Sequence, residues 1–200
     1  ASAIMEYFWN EFCDWYVEAT KINFKNGDDA EKDRQASVLL NLLEENLRLL
    51  HPYLPFVTEE IYSKLPVAEI VENRKKAGKN KILSNSEYCG MLINAPFPEV
   101  SASREDSDVE KRFDVLKDLI GKVRALRTEC GLDPASNINM AVLIEKGSAA
   151  EVCREKVDMI QLLAGVAQTE FVEAKPAAAI GTVGTGFEAF ILVDETINRD

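Results

Sequence analysis

Two hundred residues that are 46% hydrophobic and 8% aromatic are enough for one or two domains with genuine cores, which excludes a disordered chain. A net charge of −11 excludes a polyanion binder that works by broad phosphate neutralisation. Any nucleic-acid contact must therefore be local, and no DNA partner is expected.

The four cysteines, Cys13, Cys89, Cys130 and Cys153, form no C-x-x-C pair, and His51 is the only histidine. No zinc ligand set assembles by spacing, so no metal site is expected and reduced thiols in a cytoplasm are the default. No apolar run approaches the roughly 18 residues of a membrane span, and no basic-then-apolar leader is present. The chain opens inside an amphipathic helix at Ala1-Ser2-Ala3-Ile4-Met5 without an initiating methionine, which reads as a piece of something longer.

The first element is the most informative. Phe8-Trp9-Asn10-Glu11-Phe12-Cys13-Asp14-Trp15-Tyr16-Val17-Glu18 packs five aromatic rings and four polar side chains into about three helical turns. At about 100° per residue, Met5, Phe8, Phe12, Trp15, Ala19 and Ile22 share an inward side, with Trp9 and Tyr16 at its flank. The opposite side carries Asn10, Asp14, Val17 and Lys21, with Cys13 beside them and Glu11 and Glu18 at the other margin. A small apolar valine among hydrogen-bonding groups suits a flat, partly polar ligand such as a nucleobase edge. The plainer alternative is an amphipathic helix with a solvated face.

A second helix is signalled from about Ala30 to Leu50, where Val38, Leu39, Leu42, Leu43, Leu47 and Leu50 recur at three- and four-residue spacing. His51-Pro52 stops it, and Pro55 suits the first turn of a third helix running through Leu65. Residues 67–88 lapse into a basic surface insertion around Arg74-Lys75-Lys76-Ala77-Gly78-Lys79-Asn80-Lys81. A charge run of this kind is usually solvated. Pro96-Phe97-Pro98 continues the loop character. A long helix follows from about Ser107 to Cys130, with Phe113, Leu116, Leu119, Ile120, Val123 and Leu126 on one side and Gly131 just past its end. The pattern predicts four helices, mostly up and down, in a bundle.

After Pro134 the statistics change. Ile138 to Glu145 reads as a strand, Ser148 to Ala164 as a helix, and Thr169–Glu173 and Gly186–Val193 as further strands. The boundary near residues 132–137 therefore separates a helical domain, residues 1–134, from a small α/β domain, residues 135–200. Gly181-Thr182-Val183-Gly184-Thr185-Gly186 lacks the G-K-[ST] ending of a phosphate loop, and a hairpin turn is the better reading.

Arg127 falls among the apolar positions of its helix and needs a partner. It either pairs with a bundle carboxylate such as Asp14 or points with Arg124 into a groove that binds phosphate or base. His51 has no nucleophile pattern near it, and nothing isolates an acid pair, so no catalytic residue is expected.

Four blocks resemble the C-terminal part of the valyl-tRNA synthetase family: Phe8 to Tyr16, Leu49-Leu50-His51-Pro52-Tyr53-Leu54-Pro55-Phe56-Val57-Thr58-Glu59-Glu60-Ile61-Tyr62, Ala95-Pro96-Phe97-Pro98, and Val123-Arg124-Ala125-Leu126-Arg127-Thr128-Glu129-Cys130-Gly131-Leu132-Asp133-Pro134. The resemblance implies a mainly α fold, the anticodon-binding helix bundle of class I aminoacyl-tRNA synthetases followed by a small α/β domain. By the same resemblance, the bundle's first helix and a C-terminal coiled coil beyond the α/β part are expected to lie outside this piece. It also implies a cytoplasmic, monomeric parent enzyme, a valine–tRNA ligase that joins valine to its tRNA using ATP and Mg. Those cofactors belong to a catalytic domain outside this piece, whose H-I-G-H and K-M-S-K-S signatures do not occur here.

The partners the family implies are the tRNA for valine and the remaining domains of the same synthetase. By the same resemblance, the tRNA-facing set is Asn10, Cys13, Asp14, Val17, Glu18 and Lys21. Arg124 and Arg127 are a tRNA-facing or bundle-clamping addition. The alternative is a brace that packs on other synthetase domains and binds no tRNA by itself.

Overall fold

The computed structural model describes residues 2–66, 90–100, 102, 105–133, 136, 138–144, 147–177 and 179–192; the basic insertion and the residues after 192 lie outside them. The chain folds as two compact units, residues 1–105 and 106–200.

The first unit is helical. Its opening run comprises α1 (Ser2–Glu6), a π-helical stretch (Tyr7–Val17) and α2 (Glu18–Asn26). Gly27 leaves the helix in an extended conformation, and the Asp28 side chain caps α3 (Asp29–Leu50) by accepting from the Glu31 N–H at 2.8 Å. Pro55 opens α4 (Pro55–Ser63) as the sequence predicts, and a 3₁₀ turn (Leu92–Asn94) follows. Leu47 of α3, Tyr62 of α4 and Leu92 of the turn form one buried cluster, ringed by Leu43, Leu65 and Ala95.

The C-terminal half of α3 also buries Asn41, Glu44, Asn46 and Arg48, polar residues that the leucine spacing conceals. The asparagines donate back to carbonyls one turn earlier, Asn41 to Ser37 at 2.6 Å and Asn46 to Leu42 at 2.8 Å. Arg48 donates Nη2 to one Glu44 oxygen at 3.0 Å, brings Nε within 3.0 Å of the other as an ion pair, and donates Nη1 to the Pro96 carbonyl at 2.9 Å. A buried charge pair thus fastens the Ala95-Pro96-Phe97-Pro98 segment to α3.

The second unit begins with α5 (Ser107–Glu129), capped by Asp106, and continues β1 (Asn139–Ile144), α6 (Ser148–Glu155), α7 (Val157–Ala164), β2 (Gln168–Phe171), β3 (Ala179–Gly184) and β4 (Phe187–Leu192). The sheet order is β2-β1-β4-β3, with β1 parallel to β2 and the other pairs antiparallel. Leu116, Leu119, Ile120, Val123 and Leu126 are buried as expected, and α5 packs on α6, α7, β3 and β4. Gly131 sits past its end at φ +64°.

The long helix, which the sequence pattern counts with the helical domain ending at 134, lies in the compact unit 106–200 and packs there on α6, α7, β3 and β4. Two expectations shift. The helix expected over 148–164 is broken at Lys156 into α6 and α7. The glycine-rich segment is itself a strand, and its turn is only Thr185-Gly186. Gly181 and Gly184 face Phe190 and Phe187 across β4, and the two rings occupy the space a Cβ would need. Glycine is thus a packing choice there and not a turn signal.

Candidate nucleic-acid interface

The aromatic run is a π-helical stretch rather than an α-helix, so a step of about 100° per residue misplaces its side chains. The residues meeting the interior recur every four: Phe8 stacks on Phe12 with ring centroids 5.6 Å apart, Phe12 stacks on Tyr16 at 6.1 Å, and Thr20 is buried one step further. Phe12 alone of the expected inward set is fully buried; Met5, Phe8, Trp15, Ala19 and Ile22 are half-buried. Trp9, expected at the flank of the core, is 56% exposed and meets Phe8 edge-on at 5.9 Å.

Two side-chain hydrogen bonds set the rotation of this run against α3. Gln35 donates Nε2 to the Tyr16 hydroxyl at 3.2 Å and accepts from Asn23 Nδ2 at 2.8 Å. Burial, opposed by the Gln35 hydrogen bond, pushes the Tyr16 hydroxyl up from its ordinary pKa, so it stays neutral.

With that rotation fixed, Asn10, Asp14 and Lys21 are exposed, and Cys13, Val17 and Glu18 are half-buried between them. Lys21 Nζ lies 2.6 and 2.7 Å from the two Glu18 oxygens, so its charge is largely answered within the face. Burial, and then the Asp14 charge, push the Cys13 thiol up, which keeps it a protonated S–H at neutral pH. With Glu11 and Asp14 nearby the face is net acidic. It repels phosphate and offers hydrogen-bond acceptors of the kind that amino and imino groups of unstacked bases seek.

Arg124 and Arg127 belong to the second unit. Arg127 is buried, and its guanidinium donates to the Gly165 carbonyl, to the Asp133 carbonyl at 2.9 Å and to the Ser136 carbonyl at 3.4 Å. Arg124 Nε donates to the Leu163 carbonyl at 2.6 Å. Both cations therefore sit on carbonyls at the C-terminal end of α7, where a helix favours positive charge. They line a pocket of about 290 Å³ with Thr128, Leu132, Leu162, Leu163, Ala164 and Gly165. Arg127 thereby holds loops of its own unit. Sequence reading missed Gly165, which closes α7 at φ +66° with an Arg127 nitrogen 3.3 Å from where its Cβ would stand.

His51 is half-buried at the junction of α3 and α4. Thr58 donates its hydroxyl to the Leu54 carbonyl at 2.8 Å, so His51 Nδ1, 2.8 Å from Thr58 Oγ1, is the donor of that pair. Among the described residues no group of three His, Cys, Asp or Glu side chains is placed to hold a metal ion, and no helix is long and apolar enough to cross a membrane.

A family model described as the anticodon-binding domain of tRNA ligase matches residues 1–142. The Valine--tRNA ligase of Treponema denticola is 47% identical over 203 residues, covering 100% of this chain and 21% of the relative. That of Treponema pallidum is 40% identical, covering 100% and 22%. The Thermotoga maritima protein of the same name is 32% identical, covering 96% and 19%. The chain thus spans about a fifth of the length of these relatives.

Proposed function

Because the chain belongs to the anticodon-binding domain family of tRNA ligases, we propose that it serves a valine–tRNA ligase as the reader of the valine tRNA anticodon. The enzyme's ATP-dependent joining of valine to tRNA is carried by parts of the protein outside these residues. Asn10 and Asp14 take hydrogen bonds from base edges, Val17 and the Cys13 thiol give apolar contact beside them, and the Lys21–Glu18 pair borders the site. What supports the reading is the coincidence of a family match over residues 1–142 with an exposed strip of acceptors whose rotation is set by Gln35.

A titration of valine tRNA and of a second tRNA, followed by fluorescence anisotropy at low and moderate salt, tests it. We expect selective binding with a shallow salt dependence, because a face that meets bases and few phosphates releases few counterions; two phosphates correspond to a log–log slope of about −1.4. Equal binding of both tRNAs at both salts overturns the reading.

A further inference from the structure

We propose that Tyr7 and Tyr16, through Asn46 and Gln35 of α3, are positioning residues for the acceptor strip: they hold the aromatic run in its π register, and that register sets where the base-reading side chains stand. A helix closed five residues back is normally a single-turn bulge inside an α-helix. Here it runs for 11 residues, Tyr7–Val17, between α1 and α2. A stretch of that length needs support from outside the helix.

The two tyrosines stand at its ends, as its first residue and its last but one, and both are tied to α3. Gln35 donates Nε2 to the Tyr16 hydroxyl at 3.2 Å. The side chain of Asn46, itself buried, hydrogen-bonds the Tyr7 hydroxyl; burial pushes that hydroxyl up in pKa and the bond opposes the rise, so it stays neutral. Nine residues separate the two tyrosines. At about 100° per residue, nine steps end half a turn past two full turns, so an α-helix would point the hydroxyls to opposite sides. A helix closed five residues back turns by roughly 80° per residue, and nine steps bring Tyr16 round to the side of Tyr7. Both hydroxyls reach the same partner helix in the π register and not in the α register.

Trp9 is an independent check on that arithmetic. It lies seven residues before Tyr16, and an α-helix would bring it within about 20° of that ring, on the side that meets α3. The π register carries it roughly 160° away from Tyr16, and the indole is indeed 56% exposed. By the same steps Asn10 and Asp14, four residues apart, change their relative bearing by roughly 80° between the two registers. A base that takes both acceptors in one register misses one of them in the other. The effect on tRNA rests on the anticodon reading above; the register lock itself does not.

Hydroxyl-radical labelling of Trp9 in the 200-residue chain reads the register, and titration with valine tRNA and a second tRNA reads its consequence. The double variant Tyr7→Phe with Tyr16→Phe keeps both rings and removes only the hydroxyls. We expect its Trp9 to label several-fold more slowly and its preference for valine tRNA to fall about fivefold, the worth of one base-edge hydrogen bond. Gln35→Glu, whose carboxylate accepts from the Tyr16 hydroxyl, should leave labelling and preference as they were. Gln35→Leu should lower both, and it serves as the second variant should the double one fail to fold. Unchanged Trp9 labelling in the folded variants overturns the lock, whatever their melting temperatures. Slower labelling with undiminished preference overturns the positioning role. If the unaltered chain prefers neither tRNA while the variants still bury Trp9, the anticodon reading falls and the register lock stands.

Discussion

Among the described residues, each unit buries one arginine on the apolar side of a long helix and uses it to hold a loop, but the two are satisfied differently. Arg48, 4% exposed, faces a carboxylate of its own helix, Glu44, which is 2% exposed. Arg127, 6% exposed, lies on backbone carbonyls at the end of a neighbouring helix and beside an open pocket. The first is a dry ion pair whose halves depend on each other. The second is a cation set against a helix end, where water can take its place. A buried charge in a helix is thus to be judged by what is stranded when it leaves, not by how deeply it sits.

The largest effect breaks the dry pair. Arg48→Ala takes from the buried Glu44 carboxylate the guanidinium it faces and frees the Pro96 segment, and urea unfolding should show a loss of about 3–5 kcal/mol. The double change Glu44→Gln with Arg48→Met removes the buried charge as well and should recover a large part of that loss. If the double variant is no better than Arg48→Ala alone, the pair is not the source of the penalty. Arg127→Ala should cost less, about 1.5–3 kcal/mol, since its carbonyls border a pocket that admits water. Arg127→Lys should restore only a part, because a single ammonium cannot span carbonyls that a planar fork reaches together. A larger loss at Arg127 than at Arg48 would reverse the comparison.

Why the sequence showed some of this and not the rest follows from particular residues. The apolar rows of α3 and α5 were legible because both helices keep the 3.6-residue period, and Pro55 and Gly131 mark helix ends by backbone restrictions that hold in any context. The rotation of the aromatic run was not legible, since whether a helix closes four or five residues back is decided by packing against α3, and Trp9 was turned outward by it. Glu44 and Arg48 stand at i,i+4 spacing, a signal as consistent with a surface pair as with a buried one. Only the Pro96 carbonyl, 48 residues from Arg48, distinguishes the two. β3 was hidden because its glycines are demanded by the phenylalanine rings of another strand. The outward set from Asn10 to Lys21 was placed from the sequence, and its side chains are exposed or half-buried; its contact with tRNA is the part left to experiment.

A smaller change sharpens the Arg127 half of the comparison. Gly165→Ala puts a Cβ on a left-handed residue and against the Arg127 guanidinium, and should cost about 1 kcal/mol. In the Arg127→Ala background the steric part vanishes while the backbone strain remains. The two changes together should therefore cost less than their sum in thermal or urea unfolding, whereas strict additivity would mean that the guanidinium does not bear on that turn.

The smallest effect on stability belongs to the exposed pair and marks the far end of the same scale. Lys21 and Glu18 carry side chains 58% and 38% exposed, so Lys21→Ala should move the unfolding free energy by no more than about 0.5 kcal/mol. It nevertheless leaves Glu18 unanswered beside Asp14 and makes an already acidic face one charge more negative. Association with valine tRNA should therefore weaken, and weaken most at low ionic strength, where the Debye length is longest. Glu18→Gln removes the opposite charge and should strengthen binding under the same conditions with as little effect on folding. If both variants bind tRNA as the parent chain does while Asp14→Asn alters selectivity, the pair is a bystander and the base-reading strip ends at Val17.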